Sequence, residues 1–348
     1  MKYEIFSDPA RVYGKMLADI KRAKGEILLE TYIYSNDKVG FEFRDALVKK
    51  ALEGVEVRLL VDAWGSNVNR AFFKKLIAAG GEVRFFRKLR YAIRIFSANH
   101  ERNHRKLLLI DGKVSYIGSM NITASCLGWR ELMLRVEGSM TEAFRRSFNK
   151  TWKRFGLFSI HDMRRIVYED FEILQDAPLG RYDLTERRYR KLIKSAKKEI
   201  LIETPYLVPP MRIRKAFRRA VKRGVKVKIV IPRRSDVLAV DIFRNRYLGR
   251  LHRAGVEIYY YPKKLHSKLL IVDEGSFLMG SSNLDFRSFR HQYEINLFGK
   301  NKEIISVLKK HFVFNLRKTK RFDYGVWQER HLLSRIGEFL MRPFEKYF

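Results

Sequence analysis

The amino-acid sequence contains an internal duplication, and no other feature constrains the fold as strongly. Three segments of the first half return in the same order in the second half. They are KGEILLETYIY (24–34) and KKEILIETPYL (197–207), GVEVRLLVDAWGS (54–66) and GVKVKIVIPRRSD (224–236), and AAGGEVRFF (78–86) and RAGVEIYYY (253–261). A repeated order of similar segments indicates one structural unit built twice, with about 150 residues in each half.

Helices and strands alternate within each half. The segment FEFRDALVKKALEG (41–54) has apolar residues three and four positions apart and ends at Gly54, as an amphipathic helix does. The next segment, VEVRLLV (55–61), is typical of an apolar strand, and NRAFFKKLIAAGG (69–81) predicts another amphipathic helix. This alternation predicts an α/β protein of two sandwich halves, each with a mixed, mainly parallel central sheet flanked by helices.

The domain organisation follows from the repeat. Residues 1–158 are predicted to form the N-terminal half and residues 159–320 the C-terminal half, followed by an amphipathic tail over 321–348. The connection between the halves is predicted within residues 155–185, which include a proline and a glycine. A chain of 348 residues is long enough to bury a core in each half.

Two octapeptides, HRKLLLID (104–111) and HSKLLIVD (266–273), are the most distinctive part of the repeat. In each, an apolar strand follows a histidine and a lysine two positions apart, so both side chains are expected on one face. One copy could be an accident of strand edges, but a second copy with the same spacing indicates a shared chemical task. The polar residues are His104, Lys106 and Asp111 in the first copy and His266, Lys268 and Asp273 in the second.

A second motif follows each octapeptide, GSMN in the first half and GSSN in the second. The interval from His104 to Asn121 equals the interval from His266 to Asn283, and a glutamate follows at a nearly matched distance. We interpret these polar residues as substrate-binding: Ser119, Asn121 and Glu131, with Ser281, Asn283 and Glu294.

This set of residue types suits substitution at a phosphodiester. One imidazole can attack phosphorus and form a phosphoenzyme, while a second, protonated imidazole donates to the leaving alkoxide and later deprotonates the incoming alcohol. Lysines and asparagines can bind the non-bridging oxygens, and a glutamate that accepts from each imidazole can fix its tautomer. Neither half has the full set, so the active site is predicted between the halves.

The sequence favours a site without a metal or other cofactor. Two histidines and two lysines already supply positive charge, and no cluster of carboxylates accompanies them as ligands for a hard cation. A zinc ion held by His104, His266 and a carboxylate is the alternative, which the neighbouring lysines disfavour. The single cysteine, Cys126, excludes an intramolecular disulfide and a cysteine-rich zinc site.

The charge of the chain predicts a polyanionic partner. Lysine and arginine number 72 against 38 acidic residues, a net charge of +34, which indicates nucleic acid or an anionic lipid leaflet. The sequence contains no run of about 18 apolar residues, the length that a helix needs to span a bilayer. The first residues contain no apolar signal sequence, so the protein is expected in the cytoplasm.

The motifs closely resemble those of the phospholipase D superfamily, whose hallmark is a doubled HKD motif followed by GSxN. The resemblance covers about residues 3–316. The segments ETYIYSNDKVG, RNHRKLLLIDGKVSYIGSMNI, ETPYLVPP and GSSNLDFRSF resemble the short bacterial cardiolipin synthase branch. That resemblance implies that two phosphatidylglycerol molecules combine into cardiolipin and glycerol through a phosphatidyl-histidine.

The resemblance also implies roles for individual residues. His104 corresponds to the nucleophile and His266 to the acid and base, with the lysines, asparagines and glutamates around the phosphate. Asp111 and Asp273 complete the motif but are implied to hold the strand ends rather than to touch phosphate. A phospholipase D-type hydrolase or nuclease remains the alternative, because water could resolve the same intermediate. A catalytically silent adaptor is disfavoured by the two intact octapeptides.

Two segments favour lipid over nucleic acid as the partner. RKLRYAIRIFSANHERN (87–103) mixes basic with apolar residues, and the tail WQERHLLSRIGEFLMRPFEKYF (327–348) has an apolar stripe on a basic helix. Pro343 is expected to kink or end that helix. The stripe consists of Leu332, Leu333, Ile336, Phe339, Leu340 and Phe344. We therefore expect a peripheral protein at the cytoplasmic face of the cell membrane, although either segment could instead pack on the protein core.

Overall fold

The computed structural model describes residues 2–86, 101–154, 165–178, 183–341 and 343, without the side chains of residues 154, 333 and 334. Within these residues the chain forms two α/β halves. The N-terminal half contains β1 (Lys2–Phe6), α1 (Pro9–Arg22), β2 (Glu26–Thr31), α2 (Lys38–Leu52), β3 (Glu56–Asp62), α3 (Lys74–Ala78), β4 (Glu82–Phe86), β5 (Arg102–Asn103), β6 (Leu107–Ile110), β7 (Val114–Gly118), a 3-10 helix (Ala124–Gly128), β8 (Met133–Glu137) and α4 (Met140–Arg154).

The C-terminal half repeats this pattern with additions at both ends. It contains β9 (Ile166–Tyr168), β10 (Phe171–Asp176), α5 (Leu184–Ser195), β11 (Glu199–Glu203), β12 (Leu207–Val208), α6 (Met211–Lys222), β13 (Lys226–Pro232), α7 (Leu238–Arg253), β14 (Glu257–Tyr261), β15 (Leu269–Val272), β16 (Ser276–Gly280), β17 (Leu284–Asp285), α8 (Phe286–Arg290), β18 (Gln292–Gly299), α9 (Lys302–Leu316), β19 (Lys320–Arg321), α10 (Tyr324–Gln328) and α11 (Leu332–Leu340).

Each half has a mixed central sheet, but the prediction that these sheets are mainly parallel is wrong. The first sheet has the order β1-β8-β7-β6-β2-β3-β4, and only β2, β3 and β4 run parallel to one another. The second sheet has the order β19-β14-β13-β11-β15-β16-β18-β10-β9, in which only β11, β13 and β14 run parallel to one another, and β5 of the first half adds to β18 in parallel outside this order. Helical crossovers join the parallel strands, whereas the strands of the octapeptides continue into hairpins, which make antiparallel pairs.

Two further predictions about local structure need correction. The expected connection between the halves, 155–185, includes β9 and β10, which pair with each other at the edge of the second sheet. The predicted helix over 69–81 is helical only in α3, because Asn69 accepts a hydrogen bond from the backbone N–H of Phe72 and forms a turn first.

Helix boundaries agree with the residue types at their ends. Asp8 and Asp37 accept hydrogen bonds from backbone N–H groups in the first turns of α1 and α2, and Asn301 does the same for α9. Gly54, which follows α2, has a φ of 85°, a conformation that glycine adopts without strain.

A hydrophobic core joins the halves. Alternate residues of β6 and β15, such as Leu107 and Leu109 with Leu269 and Ile271, are buried in one cluster together with residues of α4 and α9. The intervening residues of the same strands face two outer cores, which α1 to α3 cover in the first half and α5 to α7 in the second. The sheets are thus buried on both faces.

Backbone hydrogen bonds also cross between the halves. Strand β5 of the first half pairs in parallel with β18 of the second, and a bridge joins Arg130 to Leu265. These contacts bring the segment before each octapeptide against the other half of the chain. In the part of the chain that the structure describes, no helix has the length and apolar character needed to cross a membrane.

Candidate active site

The two octapeptide histidines are each held by the opposite half of the molecule. The backbone N–H of His104 donates to the carbonyl oxygen of Tyr293 at 2.9 Å, and that of His266 donates to Arg130 at 2.7 Å. Both histidines are buried. The contacts between the halves therefore determine where each imidazole lies.

Each motif glutamate contacts the histidine of the other half. The Nδ1 atom of His104 lies 3.0 Å from a carboxylate oxygen of Glu294, and Nδ1 of His266 lies 2.9 Å from one of Glu131. A neutral imidazole that donates from Nδ1 to a carboxylate keeps its lone pair on Nε2. The arrangement therefore suits either a nucleophile or a base at each Nε2 atom.

The motif serines support these glutamates rather than face an open site. Ser119 Oγ donates to Glu131, and Ser281 Oγ donates to Glu294, within the same half in each case. Both serines are fully buried. In the structure these serines fix the carboxylates, and their contact with substrate stays a prediction.

The motif lysines lie beside the histidines. Lys106 Nζ donates to the carbonyl oxygen of His104 at 2.6 Å, and Lys268 Nζ donates to that of His266 at 2.7 Å. Burial, reinforced by the charge of Lys268, lowers the pKa of Lys106 to about 7. Burial also lowers the pKa of Lys268, but only to about 8, because the negative charge of nearby Glu131 offsets part of the effect of burial. The site thus concentrates positive charge in a buried place, which favours an anionic ligand.

The two histidine–glutamate pairs differ in their electrostatics. Burial, together with both lysines, lowers the pKa of His104 well below its usual value. Burial also lowers the pKa of His266, but Glu131 opposes this shift. For Glu131, burial favours the neutral acid, but the interaction with His266 outweighs it and the pKa is lowered. Burial raises the pKa of Glu294 to about 7. His266 therefore holds a proton more readily than His104 does.

The motif asparagines are buried beside the histidines' strands. Asn121 Oδ1 accepts from the backbone N–H of Ile33 at 3.2 Å, which leaves its amide nitrogen for other partners. In Asn283 the backbone N–H donates to Ser288 Oγ at 3.0 Å, and the buried Oδ1 atom has no hydrogen-bond partner among the described residues.

The motif aspartates lie at the opposite end of their strands from the histidines. Asp111 accepts hydrogen bonds from the backbone N–H groups of residues 24 to 26, the shortest at 2.7 Å from Gly25. Asp273 accepts from residues 197 to 199 in the same way, the shortest at 2.6 Å from Lys197. Their carboxylates thus join the octapeptide hairpins to the starts of β2 and β11, the strand-end role that the resemblance implies.

Aromatic rings line the histidines. Tyr32 lies edge-on to His104 with ring centroids 5.0 Å apart, and Trp129 lies edge-on to His266 at 5.3 Å. The Nζ atom of Lys106 is 5.3 Å from the Tyr32 ring centroid. These rings restrict the imidazole orientations.

Two buried glutamates in the β2 and β11 strands were missed by the sequence analysis. Glu30 accepts from Asn103 Nδ2 at 2.7 Å and pairs with Arg105 at 3.3 Å. Glu203 accepts from Ser267 Oγ at 2.5 Å and lies 2.9 Å from His311 Nε2. A charged residue at the same place in two apolar repeats was the signal that could have revealed them. They hold the segments on either side of the histidines.

Metal binding finds little support in the residue types. The Nδ1 atom of each histidine is held by a glutamate, and a lysine Nζ donates to the backbone carbonyl oxygen of each histidine. Among the residues that the structure describes, no group of three or more histidine, cysteine, aspartate or glutamate side chains could hold a metal ion.

The sequence of the chain matches a known protein family in both halves. Residues 16–152 and 189–314 both match the family described as "Cardiolipin synthase, PLD-like domain". The chain belongs to this family. The duplicated phospholipase D-like fold and the enzyme class, a phospholipase D-like phosphatidyltransferase, are thereby confirmed.

Curated cardiolipin synthases are similar over nearly the whole chain. The chain is 33% identical to "Major cardiolipin synthase ClsA" of Bacillus subtilis, an alignment that covers 97% of this chain and 74% of the relative. It is 32% identical to "Cardiolipin synthase" of Clostridium perfringens, over 97% of this chain and 75% of the relative.

Solved structures share the fold. Phosphatidylserine synthase of Haemophilus influenzae superposes with a TM-score of 0.76 at 14% identity, covering 98% of this chain and 92% of that one. Polyphosphate kinase of Porphyromonas gingivalis gives a TM-score of 0.67 at 13% identity, covering 100% of this chain and 54% of that one. At such identities the likeness extends to the family's fold alone.

Proposed function

We propose that the protein joins two phosphatidylglycerol molecules into cardiolipin and glycerol through a phosphatidyl-histidine. The observation that carries the proposal is the pair of buried histidines, each with Nδ1 on a glutamate of the other half and a lysine beside it. Similarity to cardiolipin synthases supports the substrate.

In the first step, Nε2 of His104 attacks the phosphorus of phosphatidylglycerol. A bond forms between Nε2 and phosphorus, and the bond from phosphorus to the glycerol oxygen breaks. His266 donates its proton to that oxygen, so glycerol leaves as a neutral alcohol. Glu294 accepts a hydrogen bond from the Nδ1–H group of His104 and stabilises the positive charge that develops on that imidazole.

In the second step, a hydroxyl of a second phosphatidylglycerol attacks the phosphatidyl group. His266, now neutral, takes the hydroxyl proton while the bond between phosphorus and His104 breaks. Cardiolipin forms and both histidines return to their starting states. Lys106, Lys268 and the two asparagine amides stabilise charge on the non-bridging oxygens in both steps.

The electrostatic difference between the histidines supports these roles. A nucleophile must be neutral, and the pKa of His104 is lowered further by burial and both lysines. The acid must hold a proton, and Glu131 favours the protonated form of His266. An anionic phosphodiester bound between them would raise both pKa values and help His266 to stay protonated.

We further propose that the protein works at an anionic membrane surface, on its cytoplasmic face. Among the described side chains of α11, four apolar ones are exposed, with fractions of 67% for Leu332, 44% for Ile336, 70% for Phe339 and 64% for Leu340. The opposite side of α11 packs against α7, and on that side Glu338 pairs with Arg330 at 2.8 Å. An exposed apolar face on a chain of charge +34 suits an anionic interface.

The other predicted membrane segment, 87–103, lies outside the described residues except for its last three positions. Those positions, Glu101 to Asn103, are buried against the site and do not face the surface. The helix α11 is therefore the part of the described chain on which the membrane proposal depends.

The product of the reaction tests the proposed function. The purified protein is incubated with phosphatidylglycerol vesicles, and the lipids and free glycerol are quantified. Cardiolipin and glycerol in equal amounts are expected. Phosphatidic acid as the main lipid product would indicate a hydrolase, and cleavage of plasmid DNA without lipid turnover would indicate a nuclease.

A further inference from the structure

The loop after β13 carries an acidic residue near His266 that the mechanism above does not use. Asp236 is exposed, and the hydroxyl of Tyr206 donates a hydrogen bond of 2.9 Å to its Oδ1 atom. Lys264 Nζ donates to the carbonyl oxygen of Ser235 at 2.5 Å, and this bond joins the loop to the segment that leads into His266. The Asp236–Tyr206 pair thus lies on the His266 side of the site.

The charge of Asp236 interacts electrostatically with two of the reacting groups. Burial lowers the pKa values of His266 and Lys268, and the negative charge of Asp236 is among the groups that oppose this effect. Among the described residues, Tyr206 is the one that hydrogen-bonds to this carboxylate. The Oδ2 atom of Asp236 therefore remains available to a ligand.

The pair is present in one half of the repeat only. Ser66 stands where the second half has Asp236, and Ile33 stands where it has Tyr206. Ser66 Oγ accepts from a backbone N–H at 2.9 Å and donates to a backbone carbonyl oxygen at 3.1 Å, so it serves the fold. The two sides of a duplicated site thus differ by a carboxylate on the loop that Lys264 joins to the segment before His266.

The reaction also treats the two sides differently. His266 protonates the leaving alcohol and deprotonates the incoming one, so both alcohols occupy the His266 side. In each case the alcohol is a glycerol head group, which carries hydroxyls besides the reacting oxygen. A carboxylate accepts strong hydrogen bonds from such hydroxyls.

We propose that Asp236, oriented by Tyr206, accepts a hydrogen bond from a non-reacting hydroxyl of the glycerol head group. The pair thereby selects polyol acceptors over monohydric alcohols and water. No proton is transferred to Asp236, and the reacting hydroxyl still gives its proton to His266. This inference rests on the proposed function, whose phosphatidyl-enzyme it requires.

A competition between acceptors tests the inference. Phosphatidylglycerol vesicles are mixed with 1-propanol, so that one phosphatidyl-enzyme divides between cardiolipin and phosphatidylpropanol. The ratio of the two products does not depend on the amount of active enzyme or on the first step. Asp236→Ala should lower the ratio about tenfold, the loss expected for a hydrogen bond to a charged group. Tyr206→Phe should lower it less, because Asp236 loses its orientation but keeps its charge.

Control variants separate this role from others. Asp170→Asn removes an exposed charge in the turn between β9 and β10 and should leave the ratio unchanged. If Asp236 acts only on the pKa of His266, Asp236→Ala lowers both products alike and shifts the pH profile, and an unchanged ratio overturns the inference. Should Asp236→Ala make no product, Asp236→Asn and Tyr206→Phe decide by the same ratio. Wild-type protein that makes phosphatidic acid alone would overturn the proposed function and this inference together.

Discussion

The Nδ1 atom of His104 lies 3.0 Å from a carboxylate oxygen of Glu294, a residue 190 positions later in the chain. The reciprocal contact, between His266 and Glu131, spans 135 positions in the other direction. Each histidine is therefore oriented by the half that does not contain it. A single half has the residue types of the site but not their arrangement.

The exchanged contacts predict that each glutamate acts through the histidine of the other half. Glu294→Gln should reduce cardiolipin formation by at least about 10²-fold, because the carboxylate no longer stabilises the imidazolium or fixes its tautomer. In the background of His104→Ala, the same change should cost little more. Asp170→Asn serves as a charge-matched control with unchanged activity. If the losses of activity from Glu294→Gln and His104→Ala were independent and additive, Glu294 would not act through His104.

The two histidines should depend on each other for turnover. His104→Ala and His266→Ala should each reduce turnover by about 10³-fold or more, and the double variant should lose little beyond either single one. Acid quench of the wild-type reaction followed by mass spectrometry should find the phosphatidyl adduct on the peptide that contains His104. An adduct on the His266 peptide would reverse the two roles.

The buried lysines predict a loss of activity at alkaline pH. The pKa is about 7 for Lys106 and about 8 for Lys268, so the free enzyme loses positive charge at the site as pH rises through this range. The value of kcat/KM for phosphatidylglycerol should therefore fall above pH 7 to 8. Lys106→Arg, which stays charged, should lower activity yet move this fall to higher pH. A kcat/KM that stays constant up to pH 9 would show that both lysines remain protonated.

The motif aspartates should matter for stability more than for catalysis. Asp111→Ala leaves the backbone N–H groups of residues 24 to 26 without their acceptor and should lower the free energy of unfolding by about 1–3 kcal/mol. Denaturant unfolding measures this change, and kcat per folded molecule should stay within about threefold of wild type. A large fall in kcat at unchanged stability would instead place Asp111 in the reaction.

The exposed face of α11 should carry the membrane contact. Phe339→Asp combined with Leu340→Asp should release the protein from anionic vesicles in a flotation assay, because charged side chains disfavour the interface. Activity on a short-chain soluble lipid should survive. Leu52→Asp is the matched control, since Leu52 is also exposed, at 73%, but lies at the end of α2. Unchanged flotation of the double variant would remove α11 from the membrane proposal.

The sequence by itself determined the features that depend on local pattern. The repeat predicted two α/β halves, the apolar runs predicted the strands β6 and β15, and equal spacing identified the histidines, lysines and asparagines of both halves. The helices and strands follow from apolar periodicities of about 3.6 and two residues, which neighbouring positions carry, and the site residues follow from the comparison of two copies of one segment.

The tertiary structure alone decided what lies between distant segments. The pairing of His104 with Glu294, the anchoring of Asp111 to the start of β2, and the contact of Asp236 with Tyr206 all arise where separate parts of the chain meet. The antiparallel majority of the sheets was likewise hidden, because a strand's residues do not reveal the direction of its neighbour. Such contacts depend on how the two sheets pack around their shared core, and no short segment of the sequence contains that information.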